Sequence, residues 1–513
     1  MAPSLKVALV LLASLALAPT PETWSDDTAT SDAKAAAENP GRRTNDGSAL
    51  KITLADAILM ALSNNRALQV ERLNPVIQRT FEDEARAAFD PGLQMDLSRE
   101  KRVRRTADLD ISLDETDSDT LLGGITLETY FPTGTTLEAS AETSIATDDT
   151  DDSTLAGTRL GLTVTQALLR GFGRDVNLAT LRQARLQTEF SRYELLAFSQ
   201  SLVNQVETAY WDYALSRRQV DIVAESLRLA RQQLAETREM IQVGTLAESE
   251  LVAVQAEVAI QQQGSIDVNS TLESNRLRLL RLISPPGPHA WDRQVVLVHP
   301  PQLPDISLSD VGTHVDQGLR LRPEIRQAEL DIQREELEVV RTKNGLLPKL
   351  DLFITLGRSG YADAFGDTVS DLDGDSYDTQ VGLTLDYPLG KRAAKARHTR
   401  ARYTRQRAEK ALDNLKQLVI LDIRIAFLEV NRTRRQIDAS SATRRFQEEK
   451  LRIETEKFRV GRSTNLLVAQ AQRDLLSSRL DEVRAVVSYL EALTNFYRLE
   501  GTLLERRGIQ VPE

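Results

Sequence analysis

Six stretches of the chain alternate apolar and polar residues with a period of two. Leu93, Met95 and Leu97 are separated by Gln94 and Asp96; Ile125, Leu127, Thr129 and Phe131 by Thr126, Glu128 and Tyr130. Leu137, Ala139, Ala141 and Ile145 form a third row, Leu160, Leu162 and Val164 a fourth, Leu350, Leu352, Ile354 and Leu356 a fifth, and Val381, Leu383, Leu385 and Tyr387 a sixth. Period two sends neighbouring side chains to opposite faces, so each row predicts a strand with one apolar face. The predicted strands are 93–103, 120–131, 135–146, 157–168, 349–358 and 378–388. After each island the period lengthens. Val206, Tyr213, Val220, Leu227 and Leu234 fall seven apart, and Leu202, Ala209, Val223 and Ala230 fill a second row broken by Ser216. In the second half Ile423, Val430, Ile437 and Leu451 repeat the first row, with Arg444 as the exception. Such a/d seams predict coiled-coil helices, here 177–243 and 391–460. Shorter helices are predicted at 247–283 and 464–500, and one helix ahead of each strand island, the first over about 54–88.

The two halves are copies. Arg217-Arg218-Gln219 recurs as Arg434-Arg435-Gln436, Val243-Gly244 as Val460-Gly461 and Gln255 as Gln472, all 217 positions on. Gly161-Leu162-Thr163 matches Gly382-Leu383-Thr384 at 221, so the first copy carries four extra residues near 168–174. Upstream, Leu54-Ala55-Asp56 answers Leu308-Ser309-Asp310, and Asp90-Pro91 answers Leu347-Pro348. Each copy reads helix, strands, very long helix, turn, helix, giving repeats at 51–284 and 308–513. A linker at 285–307 joins them, where Pro285, Pro286, Pro288, Pro300, Pro301 and Pro304 exclude helix. A 177–243 helix is about 100 Å long at 1.5 Å per residue, and the flanking helices are roughly half that. Two half-length helices end to end cover one long one, with strands at one pole and both Val-Gly turns at the other. Six strands are too few to close a pore, so closure requires several chains.

Composition narrows the chemistry. The chain of 513 residues has no cysteine, which excludes disulfides, thiolate metal sites and an N-terminal lipid anchor. His289, His299, His314 and His398 lie far apart, with no metal-binding spacing. No paired carboxylates, Ser-His-Asp order or phosphate loop is present, so neither an enzyme nor a cofactor is expected. A net charge of −11 argues against nucleic acid as a partner. The first residues, with Lys6 ahead of an apolar run from Val7 to Ala18, form a signal peptide over 1–18, cleaved after Ala16 or Ala18. Residues 19–50 read as a disordered tail. An exported chain can still span a bilayer with strands closed into a barrel.

The sequence resembles the outer membrane efflux protein (TolC-like) family over nearly all of its mature length. The matching pieces are Leu54-Ala55-Asp56-Ala57-Ile58 with Ala61-Leu62-Ser63-Asn64-Asn65, Leu321-Arg322-Pro323-Glu324, Leu346-Leu347-Pro348, Gln166 to Gly173, and Tyr387-Pro388-Leu389-Gly390. The resemblance implies an α+β membrane protein: a transmembrane β-barrel shared by a homotrimer, continuing into a long α-helical coiled-coil tunnel in the periplasm. It implies a passive export duct of a tripartite efflux or type I secretion system, docked to a periplasmic adaptor and an inner-membrane RND or ABC pump. Val243-Gly244-Thr245 and Val460-Gly461-Arg462 would be the adaptor-docking tips. The alternative is a periplasmic coiled-coil adaptor or structural protein, which would carry a lipoyl-like β-domain instead of strand islands.

At the periplasmic gate the sequence departs from the best-known pattern. The positions of two acidic rings hold Leu467 and Gln470. Glu250 matches an acidic network position, its basic partner position is Ser463, and Phe458 takes an aromatic one. Leu467 and Phe458 are expected to form an apolar constriction, with Glu250 and Arg462 as a latch. A second departure is four strands in the first copy, with Pro132-Thr133-Gly134-Thr135 as the turn. If all six join the barrel a trimer has about eighteen strands; with the hairpin outside it has about twelve, the usual number. Inclusion is favoured by a turn at the periplasmic pole. The outer loops are acidic, with Asp108, Asp110, Asp114, Glu115, Asp117 and Asp119, then Asp148, Asp149, Asp151 and Asp152, then Asp371, Asp373, Asp375 and Asp378. Solvated loops are the expectation, since calcium would need an EF-hand spacing that is absent.

Overall fold

The structure, a computed structural model, describes residues 49–107, 113–148, 153–287, 290–298, 303, 304, 306 and 308–509. The expected signal peptide, nearly all of the 19–50 tail, Asp108, Asp110, Asp149, Asp151 and Asp152, and much of the linker with His289 and His299, lie outside the described residues. The chain divides into two compact units.

One unit, built from 86–179 and 340–398, holds a single antiparallel sheet. Its strands are β2 (Gly92–Ala107), β3 (Leu113–Phe131), β4 (Thr135–Asp148), β5 (Ser153–Ala167), β7 (Lys349–Ala362) and β8 (Tyr377–Asp386), paired in that order. Four of them run well past the expected ends: β2 to residue 107, β3 back to 113, β5 back to 153, and β7 to 362. Polar residues that end the apolar alternation still pair through their backbones, as Arg99 opposite Leu121 and Lys101 opposite Asp119 show. A helix in the β7–β8 connection, α9 (Phe365–Ser370), had no sequence signal. It folds onto the sheet, where fully buried Thr368 shares a 2.6 Å hydroxyl hydrogen bond with Thr158 on β5.

The four residues special to the first copy have a structural use. The β3–β4 turn is held by the segment 168–173: Gly173 donates to the Thr133 carbonyl at 3.2 Å, and Ala167 to that of Gly134 at 2.9 Å. The Asn177 amide donates to the carbonyls of Pro132 and Gly171, at 3.1 and 2.7 Å. Gly134 has φ +90, and a Cβ there would stand 2.2 Å from the Gly171 carbonyl oxygen, so only glycine fits.

The second unit, built from 49–85, 180–339 and 399–509, is helical. The expected single helix over 54–88 is three: α1 (Leu54–Asn64), α2 (Arg66–Glu71) and α3 (Leu73–Ala87). Asn65 breaks it. Its backbone is extended, its Oδ1 accepts from Leu68 N–H at 3.1 Å as the cap of α2, and its amide donates to the Leu282 carbonyl at 2.9 Å. The second copy breaks at the same point, α7 (Val311–Leu321) and α8 (Pro323–Asn344) being separated by Arg322, which the following proline pushes to extended geometry. The caps also correct the alignment of the copies here. Thr53 forms a capping box with Asp56 and answers Asp310, which caps α7. Their spacing is 257, not the 254 read from Leu54 and Leu308, and it agrees with the spacing of Asp90 and Leu347.

After a single turn, α4 (Arg174–Asn177), comes the first long helix, α5 (Ala179–Gln242); the second is α10 (Arg392–Arg459), and each is followed by a return helix, α6 (Ser249–Ile283) and α11 (Asn465–Glu500). Val206, Tyr213, Ile423, Val430 and Ile437 of the heptad rows are buried in one core with Leu279, Ile283 and Phe496. The two exceptions to the rows have polar partners. Ser216 is buried and accepts the Asn275 amide at 2.7 Å; Arg444 reaches Glu482 at 2.6 Å and Glu448 at 2.8 Å. The linker is not wholly irregular: β6 (Val295–Leu297) pairs in parallel with β1 (Leu50–Ile52), and Tyr213 donates to the Val295 carbonyl at 2.7 Å. The segment after α11 is tied down by Arg507, whose guanidinium makes two 2.6 Å hydrogen bonds to the fully buried Glu207 carboxylate.

Candidate functional site: two glycine tips and the seam between the hairpins

Both long helices end in the same way. Thr245 N–H donates to the Met240 carbonyl at 2.9 Å and Gly244 N–H to that of Ile241 at 3.0 Å; Arg462 reaches Lys457 at 2.8 Å and Gly461 reaches Phe458 at 3.0 Å. These are paired Schellman motifs, with Gly244 at φ +76 and Gly461 at φ +71 supplying the left-handed residue. A Cβ on either glycine would meet nothing within 4 Å, so the backbone conformation alone demands glycine, and the space beside each tip is open. Val243 and Val460 are each 69% exposed. Two symmetry-related tips thus present an exposed valine followed by an uncrowded glycine.

The residues beyond the tips are only partly brought together. Glu250, on the first turn of α6, accepts a hydrogen bond from Asn465 N–H at 3.3 Å and so satisfies the start of α11. It does not pair with Arg462, which is exposed and has no carboxylate within ion-pair distance among the described residues. Ser463 donates instead to Glu454; this bond, and then Lys457 at 3.2 Å, hold the Glu454 carboxyl below its usual range. Phe458 is half-buried, while Leu467 (46%) and Gln470 are exposed in the single chain.

Sequence reasoning missed Asn465. Its side chain is buried, its Oδ1 accepts from the Gln233 amide at 3.2 Å, and its Nδ2 is buried without a partner. The only local signal was its position after Thr464, whose hydroxyl caps α11 through Leu467 N–H. Asn465 begins a polar seam between the hairpins. Arg473 reaches the buried Glu257 at 2.7 Å, and Gln261 shares that carboxylate at 2.8 Å; further along, Arg479 meets Glu225 at 3.5 Å and Glu448 at 3.2 Å. Every donor here is a side chain or a helix terminus, and no group of three or more His, Asp or Glu among the described residues could hold a metal. The arrangement joins helices.

This is the fold of solved outer-membrane channels. The outer-membrane channel OprN is 18% identical and superposes with a TM-score of 0.66 over 87% of this chain and 89% of its own. The CmeC outer membrane channel of Campylobacter jejuni gives 15% identity and 0.65 over 88% and 86%; the open MtrE outer membrane channel of Neisseria gonorrhoeae gives 18% and 0.61 over 88% and 89%. Residues 315–502, within the second copy, match the family model described as outer membrane efflux protein. No curated protein matches the chain. No helix of the described residues is long and apolar enough to cross a membrane.

Proposed function

We propose that the chain is the outer-membrane duct of a tripartite export system: a homotrimer whose shared barrel crosses the outer membrane and whose helices form a tunnel in the periplasm. The observation that carries this reading is the apolar face of the six-stranded sheet. Leu93, Leu127, Leu162 and Leu356 lie in one row across the sheet, with Ala139 between the second and third, and all four leucines are exposed, which is unstable in water and matched to lipid. The outer sides of the edge strands β2 and β8 have no partner among the described residues, as strands awaiting another copy do.

The duct is passive. Val243-Gly244-Thr245 and Val460-Gly461-Arg462 dock to the hairpins of a periplasmic adaptor, and an inner-membrane RND or ABC pump, or a type I secretion ATPase, supplies the energy. Glu250, Phe458, Arg462, Ser463, Leu467 and Gln470 line the periplasmic entrance, with Glu250 closing through Asn465. The test is Gly461→Asp. The aspartate forfeits the left-handed cap and adds charge in the open space beside the tip, so a trimer that migrates normally in mild detergent should lose adaptor crosslinking and export. Unchanged crosslinking and export in an assembled trimer would refute the docking role.

A further inference from the structure

We infer that all six strands enter the barrel, so that the trimer closes eighteen strands and its outer-membrane pore passes polar cargo too wide for a twelve-stranded one. This rests on the channel reading above and adds the size of what passes. The hairpin β3–β4 is the element in question, and it cannot lie outside the sheet. β2 pairs only with β3, and β5 with β4 on one side and β7 on the other, so taking the hairpin out detaches β2 from the sheet and opens that side of β5. Across the sheet one row reads Leu93, Leu127, Ala139, Leu162, Leu356, Thr379, and the next reads Thr129, Leu137, Val164, Ile354, Val381. On the opposite face the rows are Gln94, Thr126, Ser140, Gly161, Gly357, Asp378 and Glu128, Glu138, Thr163, Thr355, Gln380. The hairpin therefore continues both the lipid-compatible face and the polar face without a break.

Two further features fit. An even number of strands leaves β2 and β8 running in opposite directions, so β8 of one copy and β2 of the next can pair antiparallel all the way round. The clamp of the β3–β4 turn by residues 168–173 fixes that turn beside the end of β5, the place a periplasmic turn of a barrel occupies. Because diameter grows roughly linearly with strand number, eighteen strands give a pore about 1.5 times as wide as twelve.

The full chain and a variant lacking residues 113–148, in which 108–112 and 149–152 connect β2 to β5, are compared in planar bilayers with polyethylene glycols of graded size. The full chain should pass polymers that the deletion excludes, with conductance roughly twofold higher; equal sizing overturns the inference. Should the deletion fail to assemble, the full chain decides alone. It has no native cysteine, so Thr126→Cys and Ile125→Cys are clean single-site probes. In vesicles a membrane-impermeant maleimide should label the first and spare the second, and any other pattern overturns the eighteen-stranded barrel. A conducting trimer with both positions labelled rejects only the strand count, whereas a chain that neither trimerises nor conducts rejects the channel itself.

Discussion

Single residues explain why the tips and the seam have the form they do. The glycines were legible because the conformation they permit is local: a Val-Gly pair ending a heptad pattern can be recognised without its neighbours. Asn465 was not, because its partners Gln233 and Glu250 lie 232 and 215 positions away in the chain. Glu491 is a similar case. Burial raises its carboxyl from 4.5 to about 7, with Asp212 nearby adding repulsion; Asp212 is itself raised by burial, partly offset by Arg278. A carboxyl raised by folding adds nothing adverse below its unfolded value and costs stability as pH rises from about 4.5 through 7. Glu491→Gln should therefore be more stable than the native chain at pH 8, on the order of 2 kcal/mol, and indistinguishable from it near pH 4.5. Denaturant midpoints at the two pH values measure this, and an equal gain at both would show that repacking, not ionisation, is responsible.

At the scale of elements, the periodicities located the strands and long helices, and their interruptions marked the polar contacts between them. What periodicity could not supply was the partner. Arg444 in an apolar row is intelligible only once α11 brings Glu482 beside it. The guanidinium is held charged by Glu482 and Glu448 against the burial that opposes it, so its pKa stays raised. Removing it takes the counter-charge from Glu482 and leaves Glu448 with Arg479 alone, at 3.2 Å. Arg444→Leu should lower helical-unit stability by about 2–3 kcal/mol. Adding Glu482→Gln should recover most of that loss, because the remaining amide is cheaper to leave unpaired than a carboxylate. Thermal or urea unfolding of the two variants checks it: a double variant no more stable than the single one would mean that Arg444 acts through packing of its stem. The strand ends illustrate the opposite limitation. The sheet extends beyond its apolar band because backbone pairing needs no hydrophobic side chain, so a pattern of side chains understates strand length.

For the whole molecule, a single chain is left with surfaces that make sense only in company. On α10, Leu418, Leu421, Ile425 and Leu428 recur at alternating spacings of three and four and are between 47% and 67% exposed, on the side away from buried Val419, Ile423, Ala426 and Val430. On α2 and α3, Val70, Leu73, Ile77 and Phe81, at spacings of three, four and four, form a second exposed stripe. The two apolar stripes of the helical unit and, taken separately, the two open edges of the sheet each call for further copies of the chain. Neither the copy number nor the mating of the stripes could be read from heptads, since a buried seam and a seam awaiting a partner have the same periodicity. Ile425→Glu distinguishes them. Ile425 is 56% exposed and is not part of the hydrophobic core, so the isolated chain should keep its helicity and its unfolding midpoint. A charge facing an apolar stripe of another copy is desolvated without a partner, at a cost of several kcal/mol per contact, and a closed assembly repeats that contact. The variant should run as a monomer in mild detergent where the native chain runs as a heat-sensitive trimer, and light scattering on the same samples gives the mass. A trimer that survives the substitution would place the stripe on the solvent side of the assembly and leave the open strand edges to hold the copies together.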